Sequence, residues 1–588
     1  MNTPVDINAA ATPLPQAPID PTAPTTLQGA SAIVASVLLV VLVWVGLQLW
    51  GLGRAPFHTK GEPREGLVVW EMTHGGGWIL PKRNGEELPS KPPLFHWIGA
   101  MTSLVHGATD EWSIRFPSAA LSLLGLLCVF AAGTALWSWR AGLISALVLM
   151  TTFEWARAAT NARVDMTLTF GLELAFLSLL FFLRSRAGGW LVPLYIGITL
   201  AVLGKGPVGA ALPGLVAVIM LALARDFSVL RQMRLGSGAL AVGVGAGTWY
   251  VLALLLGGWA FFRKQVLAEN VFTFIDSADF GGGHRHGALY LPGALLLGLL
   301  PWSVLLPGVV ARLWGARTEI TLRDARVYLL VWAAVVLGFY SAAASKRGVY
   351  LLSLYPAVAL LIGWWWDDRH RSDADQQRWL ARMLEVVAWL LLGTAGLALM
   401  AVLLEALGVP LCATAQRWLP SDAQPFAPIV SETIRAGRWR LLSCLVVAVV
   451  ALYALIDAAR RVRWQGILAA MFVAVAAVLV GAQQVIMPGV AQALSLRTFM
   501  NEVRQLVGPT GNLSFYKTFD YAAVFYWQGH ITTYEGTWPV GAPRYVLMSQ
   551  AEWERVQELA GAQYERVTFP SERQDNEADA LILARRAQ

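Results

Sequence analysis

Long apolar runs, separated by short arginine-bearing loops, fill the chain from residue 31 to residue 487. They lie near 31–51, 116–137, 141–156, 165–183, 189–204, 207–224, 236–258, 288–311, 327–344, 348–366, 383–407, 440–457 and 466–487. Most approach or exceed the roughly 18 residues a helix needs to cross hydrocarbon about 30 Å thick. The pattern predicts about 13 transmembrane helices, the third and fifth short enough to be tilted, broken or merged. Residues 1–29 are rich in Pro and Ala and carry Asp6 and Asp20 but no Lys or Arg. Without the basic start of a cleaved signal peptide, they read as a flexible cytoplasmic tail before a retained first helix.

The polar segments divide the chain further. A first outer loop, 52–115, and a second, 259–287, interrupt a membrane domain that spans 30–487. Residues 490–588 differ in composition, with strand patterns at 512–516, 544–548, 563–569 and 579–584. Helical stretches near 493–506, 519–528 and 550–560 separate them, so a small C-terminal α/β domain is expected. The fold class predicted is thus a polytopic all-α membrane protein with that domain attached.

Composition sharpens this picture. Only 14% of residues are charged, against about 25% in soluble domains, and mean hydropathy is +0.53. Trp249, Trp302 and Trp364 to Trp366 flank apolar runs as interface anchors. The net charge of +7 sits mostly in alternate loops: Arg140; Arg184 and Arg186; Arg225, Arg231 and Arg234; Arg312, Arg317, Arg323 and Arg326; Arg369, Arg371 and Arg378; Arg460, Arg461 and Arg463. That excess assigns these loops to the cytoplasm, and anionic headgroups explain the charge better than nucleic acid does. An odd number of crossings then places 490–588 in the periplasm. The three cysteines lack Cys-x-x-Cys or zinc spacing, so no thiol-bound metal or disulfide framework is indicated.

Ionisable groups at membrane depth are costly and point to function. The first loop offers Gly61-Glu62-Pro63-Arg64-Glu65, Glu71, His74, Pro81-Lys82-Arg83-Asn84-Gly85 and Ser90-Lys91-Pro92-Pro93-Leu94. Glu62 suits either a general base toward a hydroxyl or amine, or a structural pair with Arg64. Lys91, ahead of two prolines, is held at a rigid reversal and suits a phosphate, or else snorkels. Asp165 needs a partner, for which Arg163 and Arg157 are nearby; an inter-loop salt bridge is the alternative. Lys205, in Gly204-Lys205-Gly206-Pro207-Val208-Gly209, is a phosphate candidate outside any Walker motif. Glu269-Asn270 precedes His284-Arg285-His286 and Tyr290; two such histidines do not make a zinc site. Ser345-Lys346-Arg347 lies just before Tyr350. Lys91, Lys205, Lys346 and Arg347 share one membrane face with Glu62 and Asp165. Their convergence describes an outward site that neutralises an anionic, lipid-linked phosphate and supplies carboxylates.

These motifs resemble those of bacterial GT-C membrane glycosyltransferases, the glycosyltransferase family 39 and aminoarabinose-lipid A transferase group, related to protein O-mannosyltransferases. The resemblance runs over about 55–365. It rests on Glu62-x-Arg64, Glu71-Met72, Gly77-Trp78, Pro81, Asn84-Gly85, Lys91-Pro92-Pro93-Leu94, Trp97 and Arg115-Phe116-Pro117-Ser118. Arg163-x-Asp165, Lys205-Gly206-Pro207-Val208, Glu269-Asn270, His284 with Tyr290-Leu291-Pro292, Pro301-Trp302 and Ser345-Lys346 with Tyr350 extend it. It implies a GT-C fold in the bacterial inner membrane and inverting transfer of a sugar from a polyprenyl-phosphate donor. The acceptor would be an envelope component, lipid A or another glycolipid, with a protein hydroxyl as the alternative. On the resemblance, Glu62 and Asp165 are catalytic, while Arg64, Lys91, Lys205, His284, Tyr290, Lys346 and Arg347 bind substrate. The family commonly opens its first motif with Asp-Glu, where this chain has Gly61-Glu62. Some aminoarabinose transferases carry a glutamate where this chain has Ser90. No cofactor or metal is assigned, and a divalent ion gains no support from the sequence. A transporter or flippase is the rival class, but the internal repeats it would show are not evident.

Overall fold

The computed structural model describes residues 27–272, 286–287, 289–371, 373–420, 424, 426–508, 511–536, 538, 541–560, 564–568, 571 and 580–586. Each of the thirteen apolar runs is largely helical. Among the described residues ten helices are long and apolar enough to cross a membrane. Tyr290–Gly298 and Trp302–Gly315 are long and apolar enough only as a pair, bent by 99° at a break where Pro301, lacking an amide hydrogen, interrupts the helix. Trp139–Thr151 and Val208–Ala224 are apolar but shorter. The third run is therefore short, as expected. The fifth is not: it is the 18-residue Gly188–Lys205.

Eight helices carry the argument that follows: α1 (Leu27–Trp44), α2 (Gly61–Thr73), α3 (Leu94–His106), α4 (Glu111–Leu136), α5 (Trp139–Thr151), α6 (Phe153–Ala159), α7 (Asp165–Ser185) and α8 (Leu191–Lys205). Local chemistry sets their ends. Pro63 and Glu62 sit in the first turn of α2, where no intrahelical amide partner is lost and the helix dipole favours an acid. α3 starts directly after Pro92-Pro93 and stops at Gly107, whose φ of 82° closes a left-handed cap. Asp110 and Ser113 form a reciprocal capping box at the start of α4, with bonds of 2.9 and 3.0 Å.

The arginine-rich loops gather on one face of the bundle. Arg184 bonds the Arg323 carbonyl at 3.4 Å, Arg186 pairs with Asp226 at 3.5 Å, and Arg312 pairs with Asp368 at 2.7 Å. The loops holding Glu62, Lys91, Asp165, Lys205 and Glu269 meet one another at the opposite face.

The C-terminal domain is a five-stranded sheet of order β2-β1-β3-β5-β4. Its strands are β1 (Leu513–Tyr516), β2 (Thr532–Tyr534), β3 (Tyr545–Ser549), β4 (Tyr564–Arg566) and β5 (Leu581–Arg586). β1 is parallel to β2 and β3, and β5 is antiparallel to β3 and β4. Four strands lie where the alternation predicts them; β2, a three-residue edge, has too little pattern to read. The domain docks on the first loop. Tyr526 accepts from the Phe57 amide at 2.8 Å and donates to Glu111 at 2.7 Å, and Asn84 exchanges two bonds with Ile531 at 2.8 and 2.9 Å. Phe57, Phe95, Ile114, Phe515 and Phe525 bury a shared apolar core beneath these contacts.

Candidate functional site

The site is built at the end of the α7–α8 pair. α7 and α8 pack backbone to backbone because glycines face the contact. A Cβ at Gly171 would stand 2.5 Å from the Ala201 amide, and one at Gly197 would stand 2.6 Å from that of Ala175. This close approach brings the first residue of α7 beside the last residue of α8. Lys205 donates to Asp165 Oδ1 at 2.5 Å, and Arg163 Nε lies 3.2 Å from Oδ2. Asp165 is buried, whereas about a third of the Arg163 side chain is exposed. The Lys205 ammonium also sits 4.5 Å from the ring centre of Tyr350, a cation–π contact that ties the loop after Lys346 to the site.

A second layer comes from the first loop. Lys91 pairs with Glu269 of the second loop and is close enough to act electrostatically on Asp165. Arg64 pairs with Glu65 at 2.9 Å, and the other Glu65 oxygen meets His96 Nε2 at 2.8 Å. Burial alone would raise the Glu65 carboxyl, but His96, Arg64 and Arg83 hold it well below the usual carboxylate range. Arg157, on α6, grips Glu154 at 2.5 Å and leaves part of its guanidinium exposed. Lys205 and Arg163 thus contact Asp165, while Lys91 and Arg157 are near enough to act on it electrostatically.

Glu62 is gripped from two sides, by α4 and by the turn before α7. Both of its oxygens hold Arg115 of α4, at 2.7 and 2.9 Å, and Oε1 also accepts from the Ala162 amide at 3.0 Å. Its partner is Arg115, not Arg64. Arg115 spends its remaining donor group on the carbonyls of Leu52 and Ala55, at 3.0 and 2.6 Å. Burial pushes the Glu62 carboxyl up, yet the Arg115 charge and hydrogen bonds outweigh it, and the net shift is downward. A carboxylate so engaged is a weak proton acceptor. It locks the 161–165 turn in place through Ala162 and thereby positions Arg163 and Asp165. The neighbouring Gly61 opens toward the same turn: a Cβ there would lie 3.6 Å from Arg163 Nη1.

The remaining sequence candidates scatter. Lys346 donates to the Ala343 carbonyl at 2.8 Å, and Arg347 Nε is buried without a partner among the described residues. Tyr290 stacks on His286 with 3.9 Å between ring centres. No hydrogen bond joins it to the Asp165 cluster among the described residues. His284 lies outside the described residues. Sequence reasoning overlooked His96 and the role of Arg115. An arginine inside an otherwise apolar helix is itself a signal, since it demands a buried counter-charge. His96 gave none, being one more side chain on an amphipathic helix.

Comparison with known proteins follows this geometry. Residues 90–249, which include Lys91, Asp165 and Lys205, match the family described as dolichyl-phosphate-mannose-protein mannosyltransferase. The chain is 27% identical over 337 residues to undecaprenyl phosphate-alpha-4-amino-4-deoxy-L-arabinose arabinosyl transferase 1 of Pseudomonas fluorescens, covering 56% of each. It is 27% identical to the corresponding transferase of Aeromonas hydrophila, covering 55% of this chain and 58% of that one. The chain thus spans little more than half the length of these relatives. The crystal structure of ArnT from Cupriavidus metallidurans bound to undecaprenyl phosphate superposes with a TM-score of 0.71 at 20% identity, over 94% of this chain and 98% of that chain. The apo form gives 0.72 at 21% identity, over 95% and 98%. The protein is a polytopic membrane protein with the GT-C fold of ArnT, and the resemblance read from its motifs holds.

Proposed function

We propose that this GT-C-fold protein transfers a sugar from a polyprenyl-phosphate donor to an acceptor in the bacterial envelope, lipid A or another glycolipid. One observation carries the reading. Lys91, Arg163 and Lys205 gather with Asp165 at one end of α7–α8, on the face opposite the arginine-rich loops. The site then faces the periplasm and the arginines face the cytoplasm of the inner membrane.

The chemistry follows from charge. A sugar leaving a lipid phosphate deposits negative charge on phosphate oxygens, and preorganised cations in a low-dielectric site stabilise it most as the bond breaks. Lys205 and Lys91 supply that field, each released from its present acid partner as the phosphate arrives. Asp165 orients the acceptor and takes its proton if the nucleophile is a hydroxyl. Glu62, though a candidate base by motif, acts as a positioning residue through Ala162. Attack opposite the departing phosphate gives inversion in one displacement. Lys346, Arg347, Tyr290 and His284 complete the proposed substrate-binding set. The match to a protein mannosyltransferase family over 90–249 favours a protein hydroxyl as the second acceptor reading.

The test uses purified protein with a labelled polyprenyl-phosphate sugar and envelope lipids as the acceptor pool. Lys205→Ala removes a charge-assisted contact, so donor binding should weaken about 10- to 100-fold. Undiminished binding in Lys205→Ala and Lys91→Ala, or label appearing in no lipid or protein, rejects the assignment. Reporter fusions at residue 20 and at the C-terminus should report opposite sides of the membrane.

A further inference from the structure

α7 covers the Gly197 face of α8, and Lys205 at the outer end of α8 belongs to the proposed site. The opposite face of α8 lines a groove of about 480 Å³ that the proposed reaction does not use. Gly188, Val192, Tyr195 and Thr199 follow one another there at helical spacing. Arg234, Ser237, Gly238 and Ala241 do the same along the helix Leu235–Val242, which forms the other wall. Residues 188–200 span about 18 Å at 1.5 Å per residue. Hydrocarbon is about 30 Å thick, so one leaflet accounts for about 15 Å. The groove starts at the arginine-bearing end of both helices and stops at Leu200, about 8 Å short of Lys205. Its length is that of one lipid chain in the leaflet on the arginine side, the cytoplasmic leaflet in the proposed orientation.

The walls suit such a chain. Gly238 makes room for the Tyr195 ring, with which a Cβ at that position would collide. The ring thus bridges the two helices, and its hydroxyl donates to the Met233 carbonyl at 2.6 Å. Thr199 donates to the Tyr195 carbonyl at 2.8 Å, and Ser237 to that of Arg234 at 2.9 Å. Each of these hydroxyls is spent on backbone, which leaves carbon for an occupant to touch. Val192 and Ile196, 63% and 49% exposed, open the groove sideways to hydrocarbon. A Cβ at Gly188 would meet nothing within 4 Å, so the mouth is open as well.

One charge in the lining is not spent. The Arg234 guanidinium has no hydrogen-bond or ion-pair partner among the described residues. Arg225 and Arg231 precede it in the same connection. Asp226, the only acid between residues 187 and 268, is held by Arg186 at 3.5 Å and by Ser228 at 2.5 Å. The mouth therefore carries uncompensated positive charge at headgroup depth. An alkyl chain gains no hydrophobic energy by moving from lipid into a groove, so shape admits the chain and charge selects the lipid.

We infer that this groove binds an anionic phospholipid, one acyl chain lying between α8 and the helix Leu235–Val242 and the phosphodiester on Arg234. The test reconstitutes the purified full chain in phosphatidylethanolamine bilayers with a minority of phosphatidylglycerol that carries a photoreactive group at the end of one chain. Illumination should concentrate label near Thr199 and Ala241. Arg234→Gln should reduce that label about fivefold, the share of one arginine in attraction to an anionic lipid, and Arg234→Lys should retain most of it. Ala241→Trp fills the groove and should abolish it. Arg231→Gln, outside the lining, should leave it nearly unchanged; an equal loss there would reduce the effect to general surface charge and overturn the contact. Equal labelling by the same probe on phosphatidylethanolamine overturns the headgroup selection. Label spread along the exposed spans without enrichment at Thr199 and Ala241 overturns the groove. Displacement by a polyprenyl phosphate but not by excess phosphatidylglycerol gives the groove to the donor lipid instead. The label is read without turnover, so this site stands or falls apart from the proposed reaction.

Discussion

Replacing Glu62 by Gln separates a structural role from a catalytic one. The variant keeps the side-chain volume and still offers an oxygen to the Ala162 amide. It removes the counter-charge from Arg115, which is only 4% exposed and would keep a neutral amide oxygen beside the Leu52 and Ala55 carbonyls. Breaking a buried ion pair by neutralising one partner costs about 3–5 kcal/mol. Because Gln still bonds the guanidinium and Ala162, the lower end of that range is expected. The readout is a lowered thermal unfolding midpoint in detergent, with turnover measured per folded molecule. A general base would behave otherwise, losing about 10²- to 10⁴-fold in turnover with the fold intact. An unchanged midpoint with turnover down a hundredfold or more refutes the positioning role and restores Glu62 as the base. The pH dependence gives an independent check. The folded-state carboxyl is shifted downward, so its stabilising contribution is complete above the ordinary carboxylate range and is lost as pH falls through its lowered value. Glu62→Gln should flatten that acid limb of the stability profile, leaving the part due to Glu65.

Three further outcomes follow from the same contacts. Glu269→Gln frees Lys91 from a partly exposed pair worth about 0.2–1 kcal/mol, so donor binding should tighten about 1.4- to 5-fold; weaker binding would show that Glu269 helps to hold the donor. Lys346→Ala should weaken donor binding less than threefold (about 0.6 kcal/mol), far below the effect of Lys205→Ala, because the Lys346 amine is already spent on the Ala343 carbonyl. Equal losses in the two variants would place Lys346 on the phosphate. Gly61→Asp puts an acid in the first turn of α2, within reach of Arg163, and should raise the unfolding midpoint by the equivalent of about 0.3–1 kcal/mol. A lowered midpoint would mean that the space beside Gly61 is already filled.

The apolar runs determined the class of this protein by themselves. Hydrocarbon selects length and hydropathy without reference to partners, so helices from Gly29–Leu49 to Trp464–Leu494 could be placed one at a time. The strands at 513–516, 545–549 and 581–586 were equally legible as short apolar runs between turn signals, and the sheet buries consecutive residues on both faces. The face shared by Lys91, Asp165 and Lys205 could be inferred by counting crossings. Partnership could not. Glu62 lies beside Arg64 in sequence, yet α2 turns it toward Arg115, 53 residues away, while Arg64 takes Glu65. Asp165 meets Lys205 across 40 residues only because Gly171 and Gly197 let two backbones touch. Sequence reports which charges enter the membrane region. Which of them neutralise each other is decided by the packing of helices that bring distant residues within about 3 Å, where low dielectric makes pairing obligatory.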